Sequence, residues 1–154
     1  MGESVIEIKQ IDVSDYLSVS QLFNQYRMFY NQPSDIALAE TFIKNRLQNN
    51  ESVIFVAFAD GVPVGFTQLY PLISSVRAVK NWLLNDLFVD NGYRKRGIGE
   101  ALLKAAGSFA KTHGATFLQL ETAMDNYAAQ RLYETTGFVK QDIASAFFCY
   151  RKAI

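Results

Sequence analysis

The residue types and spacing of one stretch suggest anion chemistry: the sequence Tyr-Arg-Lys-Arg-Gly-Ile-Gly at residues 93–99. It follows a strand predicted over residues 82–89 and leads into a helix predicted to begin near Ile98. A helix N-terminus presents free N–H groups and the positive end of the helix dipole, and it therefore attracts anions. The turn is predicted to hold a phosphate-containing ligand. The alternative is a plain helix cap with solvated basic side chains.

Two familiar phosphate motifs do not fit this turn. A dinucleotide-binding fingerprint that starts at Gly97 requires a glycine where the chain has Leu102. A Walker loop from Gly92 to Gly97 requires a lysine where the chain has Ile98. The pattern therefore favours neither a dinucleotide-binding fold nor a nucleoside triphosphatase, and it indicates a diphosphate cradle of another kind.

Two longer stretches carry a family resemblance. Asn-Asp-Leu-Phe-Val-Asp at residues 85–90, followed by Arg-x-x-Gly-x-Gly at residues 94–99, resembles the coenzyme A signature of the GCN5-related N-acetyltransferases (GNAT). Asn-x-x-Ala-x-x-Leu-Tyr-Glu-x-x-Gly-Phe at residues 126–138 resembles the second signature of that family. Two signatures in this order, with a predicted strand between them, are far more specific than either one alone.

The resemblance implies that acetyl-CoA binds in a V-shaped opening between the fourth and fifth strands. The backbone of Phe88 and Val89 would pair with the pantetheine arm like an added strand, and N–H groups of residues 96–99 would hold the pyrophosphate. Asn126 would hydrogen-bond the pantetheine, and the small Ala129 would leave room for it. The residues assigned to coenzyme A in this way are Leu87, Phe88, Val89, Arg94, Lys95, Arg96, Gly97, Ile98, Gly99, Glu100, Asn126, Ala129 and Tyr133.

For catalysis the family motif points to Tyr133, whose phenol can give a proton to the departing thiolate. The alternative for Tyr133 is a core aromatic ring with a satisfied hydroxyl. Asp86 and Glu121 are the candidates for a general base that deprotonates the acceptor amine through water, unless they are solvated charges at strand ends. Asp86 stands where polyamine acetyltransferases also carry Asp, but the neighbouring Asn85 stands where they often carry Glu and cannot act as a base. A backbone N–H near Val89 is the expected donor to the oxyanion.

The acceptor pocket is expected beside the first predicted helix, because the resemblance places the first two helices next to the acceptor. Tyr30 and Tyr70 are the expected lining residues, with Asn85 as a third substrate-binding residue. The aromatic face that Tyr30 shares with Tyr26 and Phe29 is otherwise explained as part of the core.

Composition excludes several function classes. The 154 residues are 49% apolar and carry 15 basic and 15 acidic side chains, which excludes disorder and argues against a dedicated nucleic-acid binder. The single His113 and the single Cys149 cannot make a metal site rich in either residue, and Cys149 is expected to be buried in a last strand. No apolar run approaches the ~20 residues of a membrane helix. We expect a cytoplasmic protein without a metal, a membrane or a nucleic-acid partner.

Periodicity and turn signals predict the element order β α α β β β α β α β β. The hairpin signal is Asp60-Gly61, residues 117–121 are the strand after the glycine-turn helix, and residues 126–136 are a helix. Two final strands are predicted from Phe138 onward and over residues 146–152. The expected fold is α/β (α+β), with a mostly antiparallel sheet of about six to seven strands, about four helices, and a β-bulge or V-shaped split between the fourth and fifth strands.

These inferences converge on a single N-acetyltransferase domain over residues 1–154 that acetylates a primary amine directly from acetyl-CoA. A small-molecule amine is the expected acceptor. The alternatives are a protein lysine or N-terminus as acceptor, a non-catalytic acyl-CoA-binding or sensing domain, and nucleotide binding at the glycine turn. The aromatic-rich surface also permits a homodimer.

Overall fold

The computed structural model of the chain describes residues 4–142 and 146–154. The chain divides into two compact units, Met1–Glu121 and Thr122–Ile154. In the first unit the elements are β1 (Ile6–Ile11), α1 (Tyr16–Phe29), α2 (Ile36–Gln48), β2 (Val53–Ala59), β3 (Val62–Ser74), β4 (Val79–Val89), α3 (Ile98–Thr112) and β5 (Leu118–Gln119). The second unit contains α4 (Tyr127–Thr135).

The five strands form one open sheet in sequence order. The pairs from β1 to β4 are antiparallel, and β5 joins β4 in parallel after the crossover helix α3. This architecture confirms the predicted mixed α/β fold. The β2–β3 hairpin turns at Asp60 and Gly61, whose φ angles of 50° and 82° are those of a tight hairpin turn.

The core of the first unit lies between the sheet and helices α1 and α2. It is built from buried apolar side chains of all these elements, including Val19, Phe23, Ile43, Val56 and Phe66. Gly65, the neighbour of Phe66 on β3, faces α3 instead, because a Cβ placed there would lie 3.4 Å from side-chain atoms of Ile98 and Leu102. Neighbouring β3 residues thus face different helices, as the alternation of a strand requires.

A β-bulge interrupts the pairing of β4 with β3. Gln68 lies opposite Asp86 and Leu69 lies opposite Leu84, which leaves Asn85 as an extra residue in β4. This bulge lies in the pairing of β4 with β3, whereas the sequence placed a bulge or a split between the fourth and fifth strands.

The split between β4 and β5 lies nearby. Their parallel pairing covers only Trp82 with Leu118 and Leu83 with Gln119. Beyond Leu83, the described residues of this unit show no strand partner for β4 on the β5 side. The predicted opening between the fourth and fifth strands is thus seen as an early end to their pairing.

The predicted strand count was too high. The described residues form five strands, and none follows α4: residues 138–142 and 146–154 form no strand, while residues 143–145 of the first predicted strand lie outside the described part. Large side chains there, Phe147 and Tyr150, are each 88% exposed, and Cys149 is exposed rather than buried. An apolar alternating pattern alone is not enough, because a strand also needs a neighbour with which its backbone can pair.

Candidate active site

Asp86 is a buried carboxylate at the point where β4 changes its pairing. It lies opposite Gln68 of β3, directly after the bulge at Asn85, and is only 4% exposed. Two paired central strands therefore position it, and such strands hold a side chain more precisely than a loop does.

Three neutral groups donate hydrogen bonds to the Asp86 carboxylate. Gln68 Nε2 lies 2.6 Å from Oδ2, Asn85 Nδ2 lies 3.0 Å from Oδ1, and the Tyr26 hydroxyl of α1 is the third donor. Burial raises the pKa of the Asp86 carboxyl above its ordinary value, and the hydrogen bonds, which favour the ionised form, oppose that rise. Asp86 is consequently a better proton acceptor than a solvent-exposed aspartate.

No cation of the described residues pairs with Asp86. The ion pairs there are Lys9 with Glu7, Arg46 with Glu51 and Lys104 with Glu100. A buried ionised group is normally paired with an opposite charge, because removal from water destabilises it. A protonated amine beside Asp86 would supply that charge, and its proton could then pass to the carboxylate.

Aromatic side chains pack around Tyr26, which donates a hydrogen bond to the carboxylate. The Tyr26 ring centroid lies 5.1 Å from that of Tyr30, 5.7 Å from that of Phe66 and 6.2 Å from that of Phe88. Burial, and then the nearby Asp86 charge, raise the pKa of Tyr26 far above its ordinary value, and the same two causes raise the pKa of Tyr70 to about 12. Both phenols stay protonated at neutral pH, and the Tyr26 hydroxyl donates a hydrogen bond to Asp86.

The exposed side chain of Arg94 connects the glycine turn to the aromatic wall. Its Nε donates a hydrogen bond to the Val89 carbonyl at 3.0 Å. Its guanidinium carbon lies 5.7 Å from the ring centre of Phe29 and 5.6 Å from that of Phe88, which is cation–π distance. The charge that the sequence placed beside the predicted cradle thus also joins α1 to the end of β4.

The backbone of the turn suits an anion. Helix α3 begins after Gly97, whose φ of 79° lies in the left-handed region, and Lys95 has a positive φ of 62°. A Cβ on Gly97 would meet no protein atom within 4 Å, so the space in front of the turn is open. Open space and the free N–H groups of a first helical turn fit a diphosphate. Beyond Leu83, β4 pairs with no described strand on the β5 side, which fits an extended chain such as pantetheine.

The other predicted residues of the first unit lie apart from the carboxylate or at its rim. Tyr30 is 57% exposed and stacks edge-on with Tyr26. Glu121 is exposed and follows β5, so it lacks the buried setting of Asp86. His113 caps the far end of α3, where its Nδ1 lies 2.9 Å from the Phe109 carbonyl. Asp86 is therefore the stronger of the two candidates for a base.

In the second unit, Asn126 is the N-cap of α4. Its side-chain oxygen accepts a hydrogen bond from the N–H of Ala129 at 3.2 Å, as the side chain of a preferred N-cap residue does. The Tyr133 ring lies 6.0 Å from that of Phe138, and Tyr133 is half-buried. Contacts of these residues with coenzyme A remain predictions.

Sequence reasoning missed the polar partners of Asp86. Ser52 donates a hydrogen bond to Gln68 Oε1 at 2.8 Å, and Gln68 is fully buried. Tyr26 was assigned only to an aromatic face. The available signal was a glutamine within the apolar run of β3, because a buried amide needs partners for both its donor and its acceptor.

Comparison with known proteins decides the family. The sequence model described as Acetyltransferase (GNAT) family matches residues 17–138. The chain belongs to this family. It is 45% identical over 144 residues to an uncharacterized N-acetyltransferase of Bacillus subtilis, YhfO, with 94% of this chain and 96% of that protein covered. GNAT enzymes transfer an acetyl group from acetyl-CoA, so the chain is an acetyltransferase enzyme that uses acetyl-CoA.

Solved structures agree with this assignment. A crystal structure of a probable acetyltransferase superposes with a TM-score of 0.85 at 33% identity, covering 96% of this chain and 97% of the other. The aminoglycoside N-acetyltransferase AAC(6')-Iy, solved in complex with CoA, superposes with a TM-score of 0.77 at 22% identity, covering 100% of this chain and 98% of the other. The second likeness shows the GNAT fold. No helix among the described residues is long and apolar enough to cross a membrane, and the same residues contain no cluster of three or more metal-ligating side chains.

Proposed function

We propose that this chain acetylates a primary amine of a small molecule, and that Asp86 accepts the proton of that amine. The observation that carries the proposal is the buried Asp86 carboxylate, which has three neutral hydrogen-bond donors and no cation partner among the described residues. A carboxylate in this setting binds a compact ammonium group, since the Coulomb attraction is strong where water is excluded.

The chain's own residues then have defined tasks. Bound acetyl-CoA supplies the activated acetyl group. Asp86 orients the ammonium and takes up its proton, which frees the nitrogen lone pair for attack. Tyr26 and Tyr70 stay protonated and keep the carboxylate in a partly dry environment. Glu121 is the second candidate for the base that accepts the proton of the amine. Tyr133 is proposed as the donor of a proton to the departing thiolate.

The coenzyme is proposed to lie along β4 and the glycine turn. Backbone groups of residues 87–89 bind the pantetheine arm, and residues 94–100 hold the diphosphate. Asn126 and Ala129 are proposed to contact the pantetheine. We further propose that residues 1–154 act as one catalytic domain in the cytoplasm, with Tyr30, Tyr70 and Asn85 at the amine, and that this domain can form a homodimer.

A relative supports the choice of a small molecule. An aminoglycoside N(6')-acetyltransferase of Salmonella typhimurium is 24% identical over 73% of this chain. A protein lysine or N-terminus is the second candidate acceptor, because another structural neighbour with a TM-score of 0.72 is a ribosomal-protein-alanine N-acetyltransferase. The buried position of Asp86 favours the small molecule. A peptide would have to bring its amine to this buried carboxylate while the residues next to that amine stay outside.

The test is a thiol-release assay with acetyl-CoA and a panel of polyamines, aminoglycosides and a lysine-containing peptide. We expect the highest kcat/KM with a small polycationic amine, and a loss of roughly 10–100-fold in Asp86→Asn, the low end for loss of a general base. Asp142→Asn, a change of an exposed aspartate, is the matched control and should keep full activity. Preference for the peptide, or full activity in Asp86→Asn, contradicts the proposal.

A further inference from the structure

Three buried polar side chains, Ser52, Gln68 and Asp86, form a row of hydrogen bonds that ends on Asp86. The Ser52 hydroxyl donates to Gln68 Oε1 at 2.8 Å, and Gln68 Nε2 donates to Asp86 Oδ2 at 2.6 Å. Ser52 is 7% exposed, Gln68 is fully buried and Asp86 is 4% exposed. Three polar residues within an apolar core destabilise it unless they are hydrogen-bonded, so their alignment requires an explanation beyond packing.

Chemistry fixes which group donates and which accepts along this row of hydrogen bonds. The Gln68 amide has one oxygen that can only accept and one nitrogen that can only donate. The ionised Asp86 carboxylate can only accept, so it fixes the amide with its nitrogen toward Asp86. A reversed amide would place its oxygen against the carboxylate, where two acceptors meet without a proton. The Ser52 hydroxyl, which can donate or accept, then donates to the amide oxygen and leaves the nitrogen to the charged form of Asp86.

We propose that Gln68 is a positioning residue that keeps Asp86 ionised and fixed in direction, and that Ser52 supports it by donating a hydrogen bond to the Gln68 amide oxygen. The inference builds on the proposed function, in which Asp86 is the base, and adds two residues that do not touch the substrate. Burial alone would favour a protonated, idle carboxyl. The donated hydrogen bond opposes that effect, so that the carboxylate is charged when the amine arrives.

Among the described residues, few other titratable groups lie near Asp86 and the row of hydrogen bonds that ends on it. Tyr26 of α1 faces Asp86 as a donor, and Tyr70 of β3 lies near enough for its pKa to rise with the Asp86 charge. Arg46 of α2 and Glu51 act on Tyr70 and form an ion pair with an N–O distance of 3.0 Å. A cation in contact with Asp86 would make the Gln68 donor redundant, and none is found among the described ion pairs.

The test measures the ionisation of Asp86 directly. Carbon-13 NMR of the aspartate carboxyls in the free protein, with the Asp86 signal identified by its loss in Asp86→Asn, follows the carboxyl without any amine present. Gln68→Met keeps the side-chain volume and removes the donor. We expect the titration midpoint of Asp86 to move upward by about one pH unit or more, because a hydrogen bond to a charged group favours the charged form. Ser52→Ala should move it in the same direction by less.

Thr67→Val is the matched control. Thr67 is fully buried next to Gln68, but its hydroxyl donates to the backbone carbonyl of Asp86 at 2.8 Å and not to the carboxylate. A merely structural loss would move the Asp86 midpoint equally in Thr67→Val and Gln68→Met, and this result overturns the proposal. An unmoved midpoint in both Gln68→Met and Ser52→Ala overturns it as well, and Ser52→Ala provides the test if Gln68→Met does not fold.

The acid limb of the kcat/KM profile separates this inference from the proposed function. If the limb moves together with the NMR midpoint, Gln68 positions the base of the reaction. If the NMR midpoint moves and the limb does not, Gln68 still controls the ionisation of Asp86, and the assignment of Asp86 as the base fails.

Discussion

Arg94 and Phe29 lie against each other with the guanidinium carbon 5.7 Å from the ring centre, although one belongs to the turn before α3 and the other ends α1. The same guanidinium group donates a hydrogen bond to the Val89 carbonyl. The turn proposed for the diphosphate and the helix proposed beside the amine are thereby joined through one exposed side chain.

Arg94→Lys should weaken this connection, because an ammonium group cannot reproduce the planar contact with two rings together with the Nε hydrogen bond. We expect the KM for acetyl-CoA and the KM for the amine each to rise roughly 3–10-fold with a smaller change in kcat, as measured by thiol release. Arg77→Lys, at an exposed arginine in the β3–β4 turn, is the control and should leave all three constants unchanged. Equal effects of the two changes would show that the contact has no functional weight.

The stability of Asp86→Asn relative to the wild type should rise with pH, while its activity is lower. The folded pKa of Asp86 is raised, so the folded state binds a proton more tightly than the unfolded state, and wild-type stability from this group falls as the pH rises through the folded pKa. The amide does not ionise, so the stability difference between variant and wild type should change in favour of the variant as the pH rises above the ordinary aspartate value. Urea unfolding between pH 4 and pH 8 measures it, and a difference that is the same at every pH would contradict the raised pKa.

Tyr26→Phe removes one of the three donors to Asp86 and keeps the ring contacts. The acid limb of kcat/KM should move to higher pH, because the lost hydrogen bond had favoured the ionised carboxylate. Tyr16→Phe, on the same helix, serves as the control. A limb that stays in place in Tyr26→Phe would mean that the Tyr26 hydroxyl does not act on the base.

Gly97→Ala should destabilise the fold by about 1 kcal/mol, because a side chain is strained at a positive φ even where space is open. Gly107→Ala in the middle of α3 also meets open space, at an ordinary helical angle, and should be neutral or stabilising. Denaturant midpoints compare the two variants. CoA affinity, measured by calorimetry, should fall only in Gly97→Ala. A loss of affinity in both variants would show that the effect comes from helix α3 and not from the turn, and would contradict the prediction.

Tyr133→Phe should reduce kcat by roughly 10–100-fold with little change in acetyl-CoA affinity, if the phenol protonates the thiolate. The exposed Tyr127 of the same helix provides the control variant Tyr127→Phe. Full kcat in Tyr133→Phe, under conditions where chemistry limits the rate, would reduce Tyr133 to a packing residue.

The parts of the fold that local signals determine were predictable. The hairpin at Asp60-Gly61 and the helix that starts after Gly97 follow from turn chemistry, and both are present. The two strands predicted after α4 are not found in the part of that segment which the structure describes, because pairing depends on a neighbouring strand that the local pattern does not contain. The contact of Gln68 with Asp86 could not be predicted for the same reason, because it depends on the register between β3 and β4.

The bulge at Asn85 also determines which face of the sheet carries the chemistry. Side chains alternate along a strand, so one extra residue reverses the parity of everything that follows it. Trp82, before the bulge, contacts Phe109 of α3, whereas Asp86 and Phe88, after it, contact Tyr26 of α1. In a regular strand Asp86 would face the same side as Trp82, because the two are an even number of residues apart. Without the bulge its carboxylate would therefore face α3 and not Tyr26. A homologue with the same aspartate but without the extra residue would carry the acid on the opposite side, and its chemistry would have to be found elsewhere.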